Sequence, residues 1–125
     1  MNNRGESKVG PLQGIKIIEL AGIGPVPLCG MMLADMGAEV IRVDRAAGGA
    51  GGIQIQRPYD ILGRGRKSIR VNLKDPEGVE VIYRLLESAH ALIEGFRPGV
   101  TERMGLGPDE VLERCPHIVY GRMTG

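Results

Sequence analysis

The sequence predicts an open α/β fold, a mainly parallel sheet flanked by helices, and three observations point to it. Apolar runs of strand length alternate along the chain with segments of helical spacing. Glycine and proline fall between these runs, where one element ends and the next begins. The 125 residues suit a single domain, one that buries roughly two-thirds of its unfolded surface.

Residues 15–20 (IKIIEL) form an isoleucine-rich run that reads as a buried strand. Residues 25–36 show helical spacing through Leu28, Met31 and Met32, and Gly37 supplies the C-terminal stop. Residues 40–43 are a second apolar run, so strand, helix and strand make a right-handed, parallel βαβ unit. Residues 45–65 read as a loop, with AAGGAGG at 46–52 a flexible segment, and 68–73 as a short extended piece. Asp75-Pro76 starts a helix, with Asp as N-cap and Pro in the first turn. Val79, Ile82, Tyr83, Leu86 and Ala89 give that helix one buried face. Residues 91–93 and 118–120 are further core strands, and Gly107-Pro108 opens a short helix between them. The polar start at 1–10 (MNNRGESKVG) lacks the apolar core of a signal peptide and reads as a disordered tail before a domain at 11–125.

Composition narrows the function classes. No stretch approaches the ~18 uninterrupted apolar residues of a membrane span. Three Tyr, one Phe and no Trp argue against a stacking platform for nucleic acid. Cys29 and Cys115 lie far apart with no metal-ligand spacing, which fits a reducing, cytoplasmic compartment. Net charge is +1 but segregated: residues 57–74 hold Arg57, Arg64, Arg66, Lys67, Arg70 and Lys74 against Asp60 alone. Residues 75–113 hold nine acids against three arginines. Such a basic patch reads either as a site for a compact anionic ligand or as a solvated surface loop.

The stretch from Glu19 to Arg45 resembles a dinucleotide-binding motif, with Gly22-x-Gly24 after a strand and Asp44 closing the next. The third glycine of that motif is Pro27 here, and Pro25 precedes it. Two prolines remove two backbone N–H donors from the turn that would bind phosphate, so a nicotinamide cofactor is disfavoured.

Four segments, in order, resemble the N-terminal part of the α-methylacyl-CoA racemases of the family III CoA-transferase superfamily. They are GPLQGIKIIELAGIGPVPLCGMMLADMGAEVIRVDR, GRGRKSIRVNLKDPEG, LIEGFRPGVTERMGLGP and IVYGRMTG, together spanning residues 10–125. The resemblance implies a Rossmann-like half that binds an acyl-CoA thioester, inside an interlocked homodimer, with no cofactor beyond the substrate's CoA moiety. By motif it places Arg45 against CoA phosphate and Val71, Asn72, Leu73 and Lys74 along the adenine and ribose. Gly95, Phe96 and Arg97 match the next CoA-contacting turn, and Arg103 a further phosphate-binding arginine. The chemistry suits these roles, because arginine offers planar, charge-assisted, bidentate hydrogen bonds to phosphate. Each arginine also has a plainer reading as a surface ion pair, for example Arg103 with Glu102 or Glu94.

The resemblance further implies proton transfers by a His and an Asp, the His in a Gly-His-Asp segment after the RMTG-like motif, beyond Gly125. His90, expected as a cation at a helix C-terminus, and His117 ahead of the last strand do not match that motif, and no residue present is a catalytic candidate. Cys29, on the first helix and packed against the sheet, is not a nucleophile candidate, and a catalytic role for Glu19 at the end of its strand is weak. Two other readings stay open: a family III CoA-transferase working through an Asp-anchored intermediate, and a non-catalytic nucleotide-binding module. Transferases of the formyl-CoA type carry Gln where this chain has Gly24, which leans toward the racemase. The 125-residue chain, incubated with a 2-methylacyl-CoA in deuterated water, is expected to show no α-exchange by mass spectrometry; measurable exchange would mean that its own residues move the proton.

Overall fold

The isoleucine-rich run folds as strand β1 (Lys16–Leu20) in the computed structural model, which describes residues 9–46 and 61–124. Helix α1 (Pro25–Asp35) follows a turn at Gly24, whose φ of 88° and ψ of −126° suit only glycine. Pro25 and Pro27 lie in its first turn, where backbone N–H groups have no helical partner to lose. Gly37, at φ 101°, reverses the chain into β2 (Glu39–Arg45). A single 3₁₀ turn (Ile61–Gly63) leads into β3 (Arg66–Val71). Asp75 then caps α2 (Pro76–Glu87) by accepting the Glu77 N–H at 3.0 Å. After β4 (Ala91–Glu94) come two short helices, α3 (Val100–Arg103) and α4 (Pro108–Arg114), and finally β5 (Val119–Arg122).

The strands form one sheet in the order β3-β2-β1-β4-β5, and every neighbouring pair is parallel. The expected open, mainly parallel α/β sheet is thus observed. Period-two alternation gives it two dressed faces. On one, Ile17, Val40 and Ile93 pack with Val26 and Ala34 of α1. On the other, Ile18, Leu20, Val43 and Leu92 pack with Ile82 and Leu86 of α2 and Val111 of α4. Helix α1 leaves Leu28, Met32 and Met36 exposed on its outer side.

Several expectations are corrected. Strand β2 is longer than 40–43 because its polar ends, Glu39 and Arg45, are still paired to neighbours. The extended piece at 68–73 is a true edge strand and starts earlier, at Arg66. The last strand runs from Val119 to Arg122, because Arg122 pairs with Glu94 across β4. Helix α3, one turn long, has no periodic signature in the sequence. His90, just past α2, has a structural contact: its Nδ1 accepts the Lys16 backbone N–H at 3.0 Å. The tail at 1–8, the 47–60 part of the loop and Gly125 lie outside the described residues.

Among the described residues, ion pairs take up three cations of the basic stretch. Arg64 binds Asp35 with both arms, at 2.6 Å and 3.3 Å, and holds that carboxyl below its ordinary range. Lys67 pairs with Glu39 at 3.1 Å. Arg66 turns inward: its side chain is 1% exposed and its Nε lies 2.7 Å from Oε2 of Glu19, itself 0% exposed. That approach is off the hydrogen-bond axis, and the hydrogen bond of the pair runs instead from Arg66 Nη2 to Glu19 Oε1 at 3.4 Å. Arg57 lies outside the described residues, which leaves Arg70 and Lys74.

The Glu19–Arg66 pair sits between the sheet and α1. A Cβ on Gly30 of α1 would lie 2.8 Å from Glu19 Oε1, so only glycine lets the helix settle onto the carboxylate. Glu19→Gln leaves the Arg66 charge buried without its counter-ion and is expected to cost about 3–5 kcal/mol. Gly30→Ala is expected to cost about 1–3 kcal/mol by overpacking. Urea unfolding checks both; two variants as stable as the parent would show that the pair and its glycine are dispensable.

Candidate functional site

At the C-terminal ends of β2 and β3, on the α2 side, the sheet opens into a groove of about 1120 Å³. Its floor is the end of β2, with Arg45 and Ala46, and the end of β3, with Val71. Ala46 N–H still bonds the Val71 carbonyl at 3.2 Å, which holds the two strand ends together at the mouth. The loop after β3 supplies Asn72, Leu73 and Lys74. Asn72 Oδ1 accepts the Lys74 N–H at 3.1 Å, a local side-chain turn that fixes the loop. The loop lies flat on α2 because residue 78 is glycine, where a Cβ would overlap the Asn72 carbonyl oxygen.

The opposite wall comes from α3 and the residues behind it, with Val100, Arg103, Met104 and Gly105. Gly99 caps α3 at φ 87° and makes room for Arg103, since a Cβ there would meet the guanidinium Nη1 at 2.9 Å. The far end is closed by Tyr83 and Glu80 of α2 and by Arg114 of α4. Arg114 lies 3.6 Å from the Tyr83 ring centroid and holds Glu80 with both arms, at 2.7 Å and 3.0 Å. That hydrogen bonding keeps Glu80 ionised below its usual range. Burial raises the Tyr83 hydroxyl, which stays protonated and donates to the Gly105 carbonyl at 2.6 Å. Tyr120 does the same for the Leu106 carbonyl at 2.7 Å, so two tyrosines tie down the 105–106 backbone.

Six residues named from the sequence therefore meet in one place: Arg45, Val71, Asn72, Leu73, Lys74 and Arg103 line the groove. Gly95, Phe96 and Arg97 do not line it; they form the turn after β4. Phe96 nevertheless supports the groove, its ring centroid 5.2 Å from the Arg45 guanidinium carbon. The surface ion pair considered for Arg103 does not form, because Arg122 occupies both carboxylates, with Nε at 2.6 Å from Glu94 and Nη2 at 2.6 Å from Glu102. Among the described residues Arg45, Lys74 and Arg103 make no ion pair, and their charges remain available at the groove. Asp44, the acid of a dinucleotide reading, is engaged by Arg42 at 3.2 Å.

Sequence reasoning missed the Tyr83–Arg114–Glu80 wall, because Tyr83 was read only as part of an apolar helix face. Glu94 and Arg122 were missed as well. The one available signal was an acid and a base each closing a short strand, at positions later found opposite each other. Among the described residues no group of three or more His, Cys, Asp or Glu side chains could hold a metal ion, and no helix is long and apolar enough to cross a membrane.

With this geometry in view, comparison with known proteins is informative. The sequence profile described as CoA-transferase family III matches residues 12–125. Alpha-methylacyl-CoA racemase of Mus musculus is 43% identical over 114 residues, covering 91% of this chain and 28% of the racemase. Succinyl-CoA:glutarate CoA-transferase of Homo sapiens is 38% identical over 133 residues, covering 100% of this chain and 29% of the transferase. The crystal structure of Rv3272 from M. tuberculosis superposes with a TM-score of 0.84 at 37% identity, covering 94% of this chain and 34% of that one. The chain thus spans about a third or less of the length of these relatives.

Proposed function

The chain belongs to CoA-transferase family III, and from that premise we propose that it is the CoA-binding part of an α-methylacyl-CoA racemase. Such an enzyme inverts the α-carbon of a 2-methylacyl-CoA thioester by deprotonation and reprotonation, through an enolate that needs stabilising. The role of these residues is binding. Arg45 and Arg103 both line the groove and take the phosphates of CoA, with Lys74 as a third cation. Val71, Asn72 and Leu73 line the adenine and ribose. The observation that carries the reading is this gathering of three cations, none in an ion pair among the described residues, at the C-terminal edge of a parallel sheet, where ligands of open α/β folds bind; Glu80, Glu110 and Glu113 line the same groove. Gly95 and Arg97 contribute through the turn that places Phe96 under Arg45. The reading extends to a homodimer acting in lipid metabolism in the cytoplasm.

Gly24 supports the racemase reading. Its φ of 88° and ψ of −126° fall where side-chain-bearing residues are rarely found. A glutamine at this position, as in transferases of the formyl-CoA type, would need a different turn ahead of α1.

Calorimetric titration tests the ligand class. CoA is expected to bind the chain, and Arg45→Ala and Arg103→Ala are each expected to weaken it about 10- to 100-fold, the loss of charge-assisted hydrogen bonds. Equal affinity of all three proteins would remove the phosphate clamp. For the whole protein, deuterium incorporation into a 2-methylacyl-CoA without any acceptor acid marks the racemase; turnover only when a free carboxylate is supplied marks the transferase.

A further inference from the structure

Arg122 lines no part of the groove, yet it fastens two of the pieces that build it. Its Nε donates to Oε1 of Glu94 at 2.6 Å, and Glu94 is 1% exposed. The other oxygen, Oε2, accepts the backbone N–H of Phe96 at 2.8 Å. One buried carboxylate therefore joins the end of β5 to the turn after β4, and that turn carries the ring lying 5.2 Å from Arg45. Nη2 of Arg122 reaches the other way, donating to Thr101 Oγ1 at 2.6 Å and pairing with Glu102 at 2.6 Å. Thr101 and Glu102 belong to α3, the one-turn helix that presents Arg103.

Resting on the CoA reading above, we propose that Arg122 is a positioning residue for the groove. Through Glu94 it sets where Phe96 holds Arg45, and through Thr101 and Glu102 it sets where α3 holds Arg103. The relative placement of the two arginines then depends on a side chain that lines no part of the groove. A planar guanidinium suits this task because its arms reach two separate elements at fixed angles. Lysine at the same place keeps the charge but lacks the fork. A purely structural role for Arg122 would alter stability alone.

Phe96 is the only phenylalanine of the 125 residues, so chain grown with 4-fluorophenylalanine gives one ¹⁹F resonance that reports the Arg45–Phe96 contact. Arg45→Ala is expected to shift that resonance. Arg122→Lys is expected to shift it too, without ligand, and to weaken CoA about tenfold, within the range of coupling inside one side-chain network. Gly30→Ala, on the opposite face of the sheet, is expected to lower stability and leave the resonance in place. An unmoved resonance in folded Arg122→Lys, or a moved one with unchanged CoA affinity, overturns the proposal. Glu94→Gln, which keeps volume and one acceptor oxygen, serves as the second variant should Arg122→Lys not fold. Should the parent chain bind no CoA, the ligand reading fails, and the resonance alone decides whether Arg122 positions Phe96.

Discussion

A parallel sheet forces all its strands to end on one edge, and in this chain most of those ends are charged. Glu19 stands near the end of β1, Arg45 closes β2, Glu94 closes β4 and Arg122 closes β5. Charges gathered at the rim of an apolar core must be paired or hydrated. Three of them are paired inside the protein: Glu19 with Arg66 beneath α1, and Glu94 with Arg122 on the other side of the sheet. Arg45 is left facing the groove with an aromatic ring for support. The site is where the sheet's own charge pairing stops.

The two buried carboxylates do different work. Glu19 is sealed by the helix above it, with Gly30 pressed onto the carboxylate, and it serves packing. Glu94 is buried but shares its oxygens between a backbone amide and a guanidinium, and it shapes a turn. Glycines follow the same division. Gly30 and Gly78 allow close approach of helix to sheet and of loop to helix, whereas Gly24 and Gly99 supply backbone angles that start α1 and α3.

Much of this was legible in the sequence where the signal was local. The apolar runs of β1 and β4, the Asp75-Pro76 start of α2 and the proline-bearing start of α1 all announce themselves within a few residues. Edge strand β3 announced itself only in part, as the extended piece at 68–73, because half of RKSIRV is charged and its partners are set by the fold. The basic patch misled for the same reason: Arg64, Arg66 and Lys67 find Asp35, Glu19 and Glu39 at separations of 29, 47 and 28 residues. In the site, motif placed Arg45, the 71–74 loop and Arg103 in one groove, but it could not see the wall made when Arg114 folds onto Tyr83 and Glu80. Gly95, Phe96 and Arg97 were grouped with the lining by motif, whereas the geometry makes them its support.

The proposed site puts the ligand phosphates between Arg45 at the end of β2 and Arg103 of α3, rather than at the glycine turn after β1. A crystal structure of the chain grown with CoA tests this most directly. The account predicts phosphate density within hydrogen-bond distance of both guanidinium groups, with the adenine against Val71 and Leu73. Phosphate density at the Gly22–Gly24 turn, with Arg45 and Arg103 untouched, would contradict it.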